Sequence, residues 1–362
     1  MSAKTTEAKV QSLTTMTPSE LMTTLKEYYV AEHPTDKNTP ARRMPRILVL
    51  GEPGIGKTSI VYQVAEELKV PRFTFQATLY DPTEIKGLPV FDHEKNQARF
   101  LPFEDMPSMP NGFLVIDDLP HAPTSTQNAF MRLILEGCAG AWNLGGLYPV
   151  ATGNRATDRA GAKDLQTAMG NRFQQTTLAI SHPDWRKWAV KHDLYPSIIA
   201  WLSSPTGQEW LCKFDAGCSI NPTPRSWEMS SNSSYALKDH PPILRTCIMG
   251  EVGEEACTKY FGWVKYFERM PDLQKIIKGQ NIFPDELDVM YATISGLIAL
   301  VKDFQKKTGI VQRLIDYAVA MPQHYVELGA LLSKDLLNVA GQDAFMNANL
   351  EKWADRYPDL IG

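Results

Sequence analysis

Apolar residues fall along the chain in two regimes. Between residues 46 and 180 they come in short runs bounded by turn residues, most clearly Ile47-Leu48-Val49-Leu50 and Phe113-Leu114-Val115-Ile116. Runs of this length between polar neighbours mark strands buried on both faces, as in a parallel sheet. Residues 72–76, 147–152 and 173–180 supply further strand candidates. Between them, residues 58–68 and 124–135 read as helices, the second with Phe130, Leu133 and Ile134 on one side. Strands alternating with helices predict βαβ units and an α/β fold around a parallel sheet.

After Ser181 the spacing turns helical. His182-Pro183-Asp184 opens a region containing Trp185, Trp188, Trp201 and Trp210. Residues 219–234, rich in Ser, Asn and Pro, are expected to form a loop, and from about Pro241 the chain is helical again. In residues 284–307, Leu287, Met290, Tyr291, Ile294, Leu297, Ile298, Val301 and Phe304 form one apolar stripe, read as core or subunit interface. At the other end, residues 1–17 look frayed. Pro18-Ser19-Glu20 opens a helix carrying Leu21, Met22, Leu25, Tyr28 and Tyr29, and residues 33–45 read as a loop.

Composition narrows the class. At about 100–200 residues per domain, 362 residues suggest two or three domains. Hydrophobic residues at 43% and charged residues at 22% exclude disordered and fibrous chains. Lys and Arg number 37 against 41 Asp and Glu, which argues against a partner that is nucleic acid held by bulk charge. The cluster Arg42-Arg43-Arg46 is short and reads as solvated. No apolar run approaches the ~18 residues that span a bilayer, so no membrane partner is expected. The first twenty residues hold no apolar segment of the secretory kind, and the expected location is cytoplasmic. Cys138, Cys212, Cys218, Cys247 and Cys257 have no CxxC spacing and read as reduced thiols rather than zinc ligands.

One motif carries chemistry outright. Gly51-Glu52-Pro53-Gly54-Ile55-Gly56-Lys57-Thr58 fits GxxxxGK[ST] at every fixed position, between a buried strand and a helix. Glycines let the backbone wrap phosphates with successive N–H groups, and the helix N-terminus adds a positive dipole end. Lys57 is expected on the β/γ-phosphates and the Thr58 hydroxyl on Mg²⁺; Ser59 is counted with the loop as nucleotide-binding. Sixty positions beyond Lys57, the strand of residues 113–116 ends in Asp117 and Asp118. Asp117 is expected to hold Mg²⁺, usually through water, and Asp118 to orient and polarise the attacking water. Gln76 is a candidate to hold Asp118 away from water in an idle state, and His121 reads as a loop residue.

Further motifs in order resemble the AAA+ ATPases, and within them the MoxR-type group. Leu119-Pro120-His121-Ala122-Pro123, Gln127-Asn128-Ala129-Phe130 and Glu136-Gly137 resemble the segment after that family's second Walker motif, with Pro120 and His121 where Asn and Arg are usual. Asp118 stands where Glu is usual. Residues 81–87 resemble the segment after the second strand, and Val150-Ala151-Thr152-Gly153-Asn154 the sensor 1 strand. The resemblance implies that Asn154 contacts the γ-phosphate or the water. Asn171-Arg172-Phe173 resembles Asp-Arg-Phe, whose arginine reaches a neighbouring subunit's nucleotide; Arg155 and Arg159 are rival candidates for that role. Thr223-Pro224-Arg225-Ser226 resembles sensor 2, with Arg225 reaching the phosphates from a lid helix.

The resemblance covers about residues 20–240, and residues 241–362 match no motif of the family. With the hydrophobic pattern it gives four segments: a lead-in over 1–45, an AAA+ nucleotide-binding core over 46–180, a helical lid over 181–240 and a helical region over 241–362. It implies an ATP- and Mg²⁺-dependent ATPase acting as a homo-oligomeric, hexameric ring. The ring would remodel or activate a protein client, such as one bearing a von Willebrand factor A domain. Two other readings remain open. One is a slowly hydrolysing, nucleotide-gated assembly platform, because Asp118 is a methylene short and the usual Asn after it is replaced by Pro120. The other is a nucleic-acid motor, for which the sequence offers little.

Overall fold

The computed structural model describes residues 14–36, 38–104, 106, 108–140, 142–155, 170–303, 307–341, 345, 348 and 350–360. Arg159 and Phe304 lie outside them. The chain divides into two compact units, Met1–Ile180 and Ser181–Gly362.

The first unit is built on a six-stranded sheet. Its strands are β1 (Thr14–Met16), β2 (Arg46–Leu50), β3 (Arg72–Gln76), β6 (Phe113–Asp117), β9 (Tyr148–Gly153) and β10 (Phe173–Leu178). The order is β1-β10-β2-β9-β6-β3, and every pairing is parallel. From β2 the chain passes to the far edge at β3 and works back through β6 and β9. Ile47, Leu48 and Val49 of β2 and Phe113 through Ile116 of β6 are fully buried, as runs without polar alternation require.

Helices α1 (Pro18–Glu32), α2 (Lys57–Leu68), α3 (Pro82–Lys86) and α4 (Thr124–Glu136) belong to this unit. Thr17 and Glu20 form a capping box at the start of α1, with Pro18 in its first turn. Leu21, Leu25 and Tyr29 of α1 are buried, and α1 packs on α2. Two small hairpins have no counterpart in the hydrophobic pattern: β4 (Leu88–Asp92) with β5 (Gln97–Leu101), and β7 (Cys138–Ala139) with β8 (Trp142–Asn143). Leu88, Phe91, Phe100 and Leu101 of the first hairpin are exposed, so no buried run announces it.

Residues 14–16 are not frayed. They form edge strand β1, in register with Thr176 to Leu178, and Thr176 Oγ1 donates to Thr14 O at 3.1 Å. Three residues on a sheet edge carry no hydrophobic period, which is why the pattern passes over them.

The second unit is helical: α5 (His182–Lys191), α6 (Pro196–Ser203), α7 (Pro224–Ala236), α8 (Pro241–Val252), α9 (Glu254–Glu268), α10 (Leu273–Ile277), α11 (Leu287–Asp303), α12 (Lys307–Ala320), α13 (Val326–Ala340) and α14 (Glu351–Arg356). Its core includes Trp201, Trp227 and Tyr260, packed edge to face and tilted, and the α11 stripe of Met290, Ile294, Leu297, Ile298 and Val301. A buried ion pair joins Arg186 to Asp335 at 2.6 Å, and Ser203 Oγ accepts from Arg186 Nη1 at 2.6 Å.

The loop expected over 219–234 is corrected by α7. Thr223 caps the helix through Ser226, Pro224 sits in its first turn, and Ser230, Ser231 and Ser234 turn inward. Serine favours turns when its hydroxyl competes for the backbone. Here Ser230 and Ser233 instead donate to the two oxygens of Glu251 on α8, at 2.7 and 2.6 Å.

Among the described residues, no helix is long and apolar enough to cross a membrane. The five cysteines are free thiols, Cys257 buried and Cys218 exposed.

Candidate nucleotide site

Parallel strands place their carboxyl ends on one edge, and four consecutive strands put the motif residues there. The GxxxxGKT loop leaves β2, Asn154 follows β9, Asp117 ends β6 with Asp118 next to it, and Gln76 ends β3. Gly54 (φ +78°) and Gly56 (φ +95°) adopt left-handed backbone, which turns the loop back toward α2. Glu52 and Pro53 are half-buried on the loop, Ile55 anchors it in the core, and Ser59 is exposed in the first turn of α2. Gly51 backs onto the Ile55 side chain.

Lys57 is 8% exposed. Its Nζ donates to Gly51 O at 3.0 Å, Glu52 O at 2.8 Å and Asn154 Oδ1 at 2.9 Å. These bonds hold the buried ammonium at the loop that the motif assigns to phosphate. Thr58 Oγ1 donates to Asp117 Oδ1 at 2.9 Å, and Thr152 Oγ1 donates to the same oxygen. These are oxygen donors only, the set a hard cation prefers. Among the described residues no cluster of three or more His, Cys, Asp or Glu would bind a metal unaided. A Mg²⁺ held by Thr58 and Asp117 therefore fits only with phosphate and water oxygens completing its shell.

Asp118 is left-handed (φ +54°) at the head of the short turn Leu119–His121. Gln76 Nε2 donates to its Oδ2 at 2.6 Å, because Gln76 stands in register with Asp117. The His121 N–H donates to Asp118 O at 2.9 Å, which folds the imidazole back toward the carboxylate. His121 Nδ1 lies 3.6 Å from Asp118 Oδ1, and its Nε2 lies 3.4 Å from Asn154 Nδ2. His121 is thus part of the site and not merely a loop residue. Thr152 and His121 are the members that sequence reasoning missed. A polar Thr in an otherwise apolar strand was the available signal for the first; nearness to the acidic pair marked the second, which was read as a loop residue rather than a catalytic base.

The arginines separate. Arg155 Nη2 donates to Glu52 Oε1 at 3.0 Å, so this rival finger is engaged with its own loop. Arg172 is exposed immediately before β10, and Phe173 is in register with Arg46. It therefore stands at the amino edge of the sheet, roughly 15–20 Å of strand from the carboxyl edge at about 3.3 Å per residue. Arg225 is exposed in the first turn of α7 in the helical unit.

No family model and no curated protein matches the chain. Among solved structures it is similar to a proposed ATPase of Cytophaga hutchinsonii, with 18% identity, a TM-score of 0.29, and 44% of this chain and 45% of that one covered. The chain thus spans under half of that protein. It is similar to NtrX of Brucella abortus, solved in complex with ATP, at 14% identity and a TM-score of 0.38, covering 85% of this chain and 69% of that one. It is also similar to a mutant form of RuvB from Thermotoga maritima, at 12% identity and a TM-score of 0.34, covering 94% of each. At such identities and scores no activity transfers from these proteins, and function is read from the site alone.

Proposed function

We propose that this chain is an ATPase of the AAA+ class and MoxR type, which binds ATP with Mg²⁺ and hydrolyses it within a homo-oligomeric ring. The observation that carries the reading is the meeting of Lys57, Thr58, Asp117 and Asn154, bonded across 97 and 59 positions of sequence at one sheet edge. Loop N–H groups and Lys57 bind the phosphates. Thr58 and Asp117 hold the metal, which when bound neutralises charge on the phosphate oxygens. Asp118 orients and polarises the attacking water, and Asn154 contacts that water or the γ-phosphate.

Arg172 stands at the sheet edge opposite its own loop, which supports its service to a neighbouring copy. Such an arginine is worth about 10³–10⁵ in rate, so isolated protomers are nearly inactive. The ring is hexameric by family resemblance, with Arg225 linking the lid to the phosphates. Its work is the remodelling or activation of a protein partner, one with a von Willebrand factor A domain being the type.

A second reading, a slowly hydrolysing assembly platform, is favoured by the 2.6 Å grip of Gln76 on the short Asp118. Calorimetric titration with ATP and Mg²⁺, followed by turnover over a dilution series, tests both. Absence of binding defeats the nucleotide reading, and equal specific activity on dilution defeats the ring. A large gain from Asp118→Glu favours the platform.

A further inference from the structure

The orientation of three side chains between the phosphate loop and Asp118 is fixed by hydrogen-bond logic. An ammonium only donates, so the Asn154 atom 2.9 Å from Lys57 Nζ is its carbonyl oxygen. The other end of that amide, Nδ2, only donates, and it faces His121 Nε2 at 3.4 Å. Nε2 is therefore the acceptor nitrogen, and the proton of the neutral ring sits on Nδ1. Nδ1 in turn faces Asp118 Oδ1 at 3.6 Å, beyond hydrogen-bond range, and is buried without a partner among the described residues. The ring is held in this place by its turn: Pro120 packs on Gly153, where any Cβ would overlap the proline ring.

Asp118 is gripped from the Gln76 side at 2.6 Å and left one short step from a second donor. Resting on the ATPase reading above, we infer that His121 is a positioning residue. Its Nδ1–H closes on Asp118 and aims the short carboxylate at the attacking water, and its tautomer is set by Lys57 through Asn154. The chain of donors runs one way, from Lys57 to Asn154 to His121 to Asp118. Occupancy of the loop by phosphate, which draws on Lys57, is thereby communicated to the residue that handles the water. A carboxylate displaced by about 1 Å costs on the order of 100-fold in rate, so the second hold makes up for the missing methylene.

The test is steady-state and single-turnover ATPase kinetics on the full chain, with affinity for a fluorescent ATP analogue measured alongside. His121→Ala is expected to lower kcat about 10- to 100-fold with KM and nucleotide affinity within about threefold. His121→Asn, whose amide falls near the Nδ1 position, restores most of the loss. In an Asp118→Glu background the cost of His121→Ala shrinks severalfold, because the longer side chain reaches unaided. An unchanged kcat, or an equal cost in both backgrounds, overturns the proposal. So does a loss confined to nucleotide affinity. Nitrogen-15 NMR of the histidine rings gives a readout free of turnover. The His121 ring is expected as the Nδ1–H tautomer, lost in Asn154→Ala; an Nε2–H ring overturns the proposal. A wild-type chain that binds ATP without turning it over defeats the hydrolytic reading instead, and the tautomer still decides the donor chain.

Discussion

Gly153 shows how tightly single residues set this site. Its Cα lies against the ring of Pro120, and that ring cannot rotate away from an added methyl. Gly153→Ala must therefore shift the turn Leu119–His121 or the end of β9. Overpacking of this kind costs about 1–3 kcal/mol. The expected result is a lower denaturation midpoint and a kcat that falls more than nucleotide affinity does, since the shift moves His121 and leaves the loop in place. Unchanged stability and kcat would exclude the contact. The same residues mark the limit of sequence reading at this scale. Lys57, Thr58, Asp117 and Asn154 were legible because their chemistry depends on motif and strand order. His121 was not, because its place depends on Asp118 adopting a left-handed backbone, which few residue types other than glycine accept readily and no period encodes.

Elements followed their patterns where burial was two-sided and departed from them elsewhere. Strands β2 and β6 read directly from apolar runs, whereas β1 and the β4–β5 hairpin lie on edges with exposed side chains. Helix α7 was hidden by its serines, whose partner Glu251 lies on the next helix and not in the local window. Helix α5 carries a consequence for pH. His182 is its first residue, with Nδ1 buried and unpartnered among the described residues, and burial pushes its pKa below the ordinary 6.5. A helix N-terminus also disfavours a cation there. The folded chain thus refuses a proton that the unfolded chain accepts below pH 6.5. The contribution of His182 to stability is present in full above that pH and declines as pH falls through 6.5 toward the depressed folded value. Denaturation midpoints from pH 8 to 5 should fall less steeply for His182→Gln than for the wild type, and parallel curves would refute this.

At the scale of the molecule, the parallel sheet assigns its two edges different tasks. Every group proposed to touch the triphosphate in the first unit lies at the carboxyl edge, and Arg172 lies at the amino edge. A contact that joins one edge to the other, where it is heterologous, propagates from copy to copy and closes into a ring when the rotation allows. This makes complementation between two inactive variants the sharpest assay of the assembly. Lys57→Ala removes the phosphate contact but keeps Arg172; Arg172→Ala keeps an intact loop but lacks the in-trans arginine. Each alone should be nearly inactive, because every interface is then missing one half. Mixed in equal amounts and allowed to exchange subunits, half the sites carry an intact loop and half of those meet an intact arginine. Turnover should then recover to about a quarter of wild type, as heterologous interfaces scored independently require. A monomer, or an arginine acting on its own loop, gives no such recovery; an in-trans dimer recovers equally, so the particle mass under the same conditions separates dimer from ring. A mixture as inactive as its components would therefore remove Arg172 from the neighbouring site and leave the chain as a nucleotide-binding protein without a shared active site.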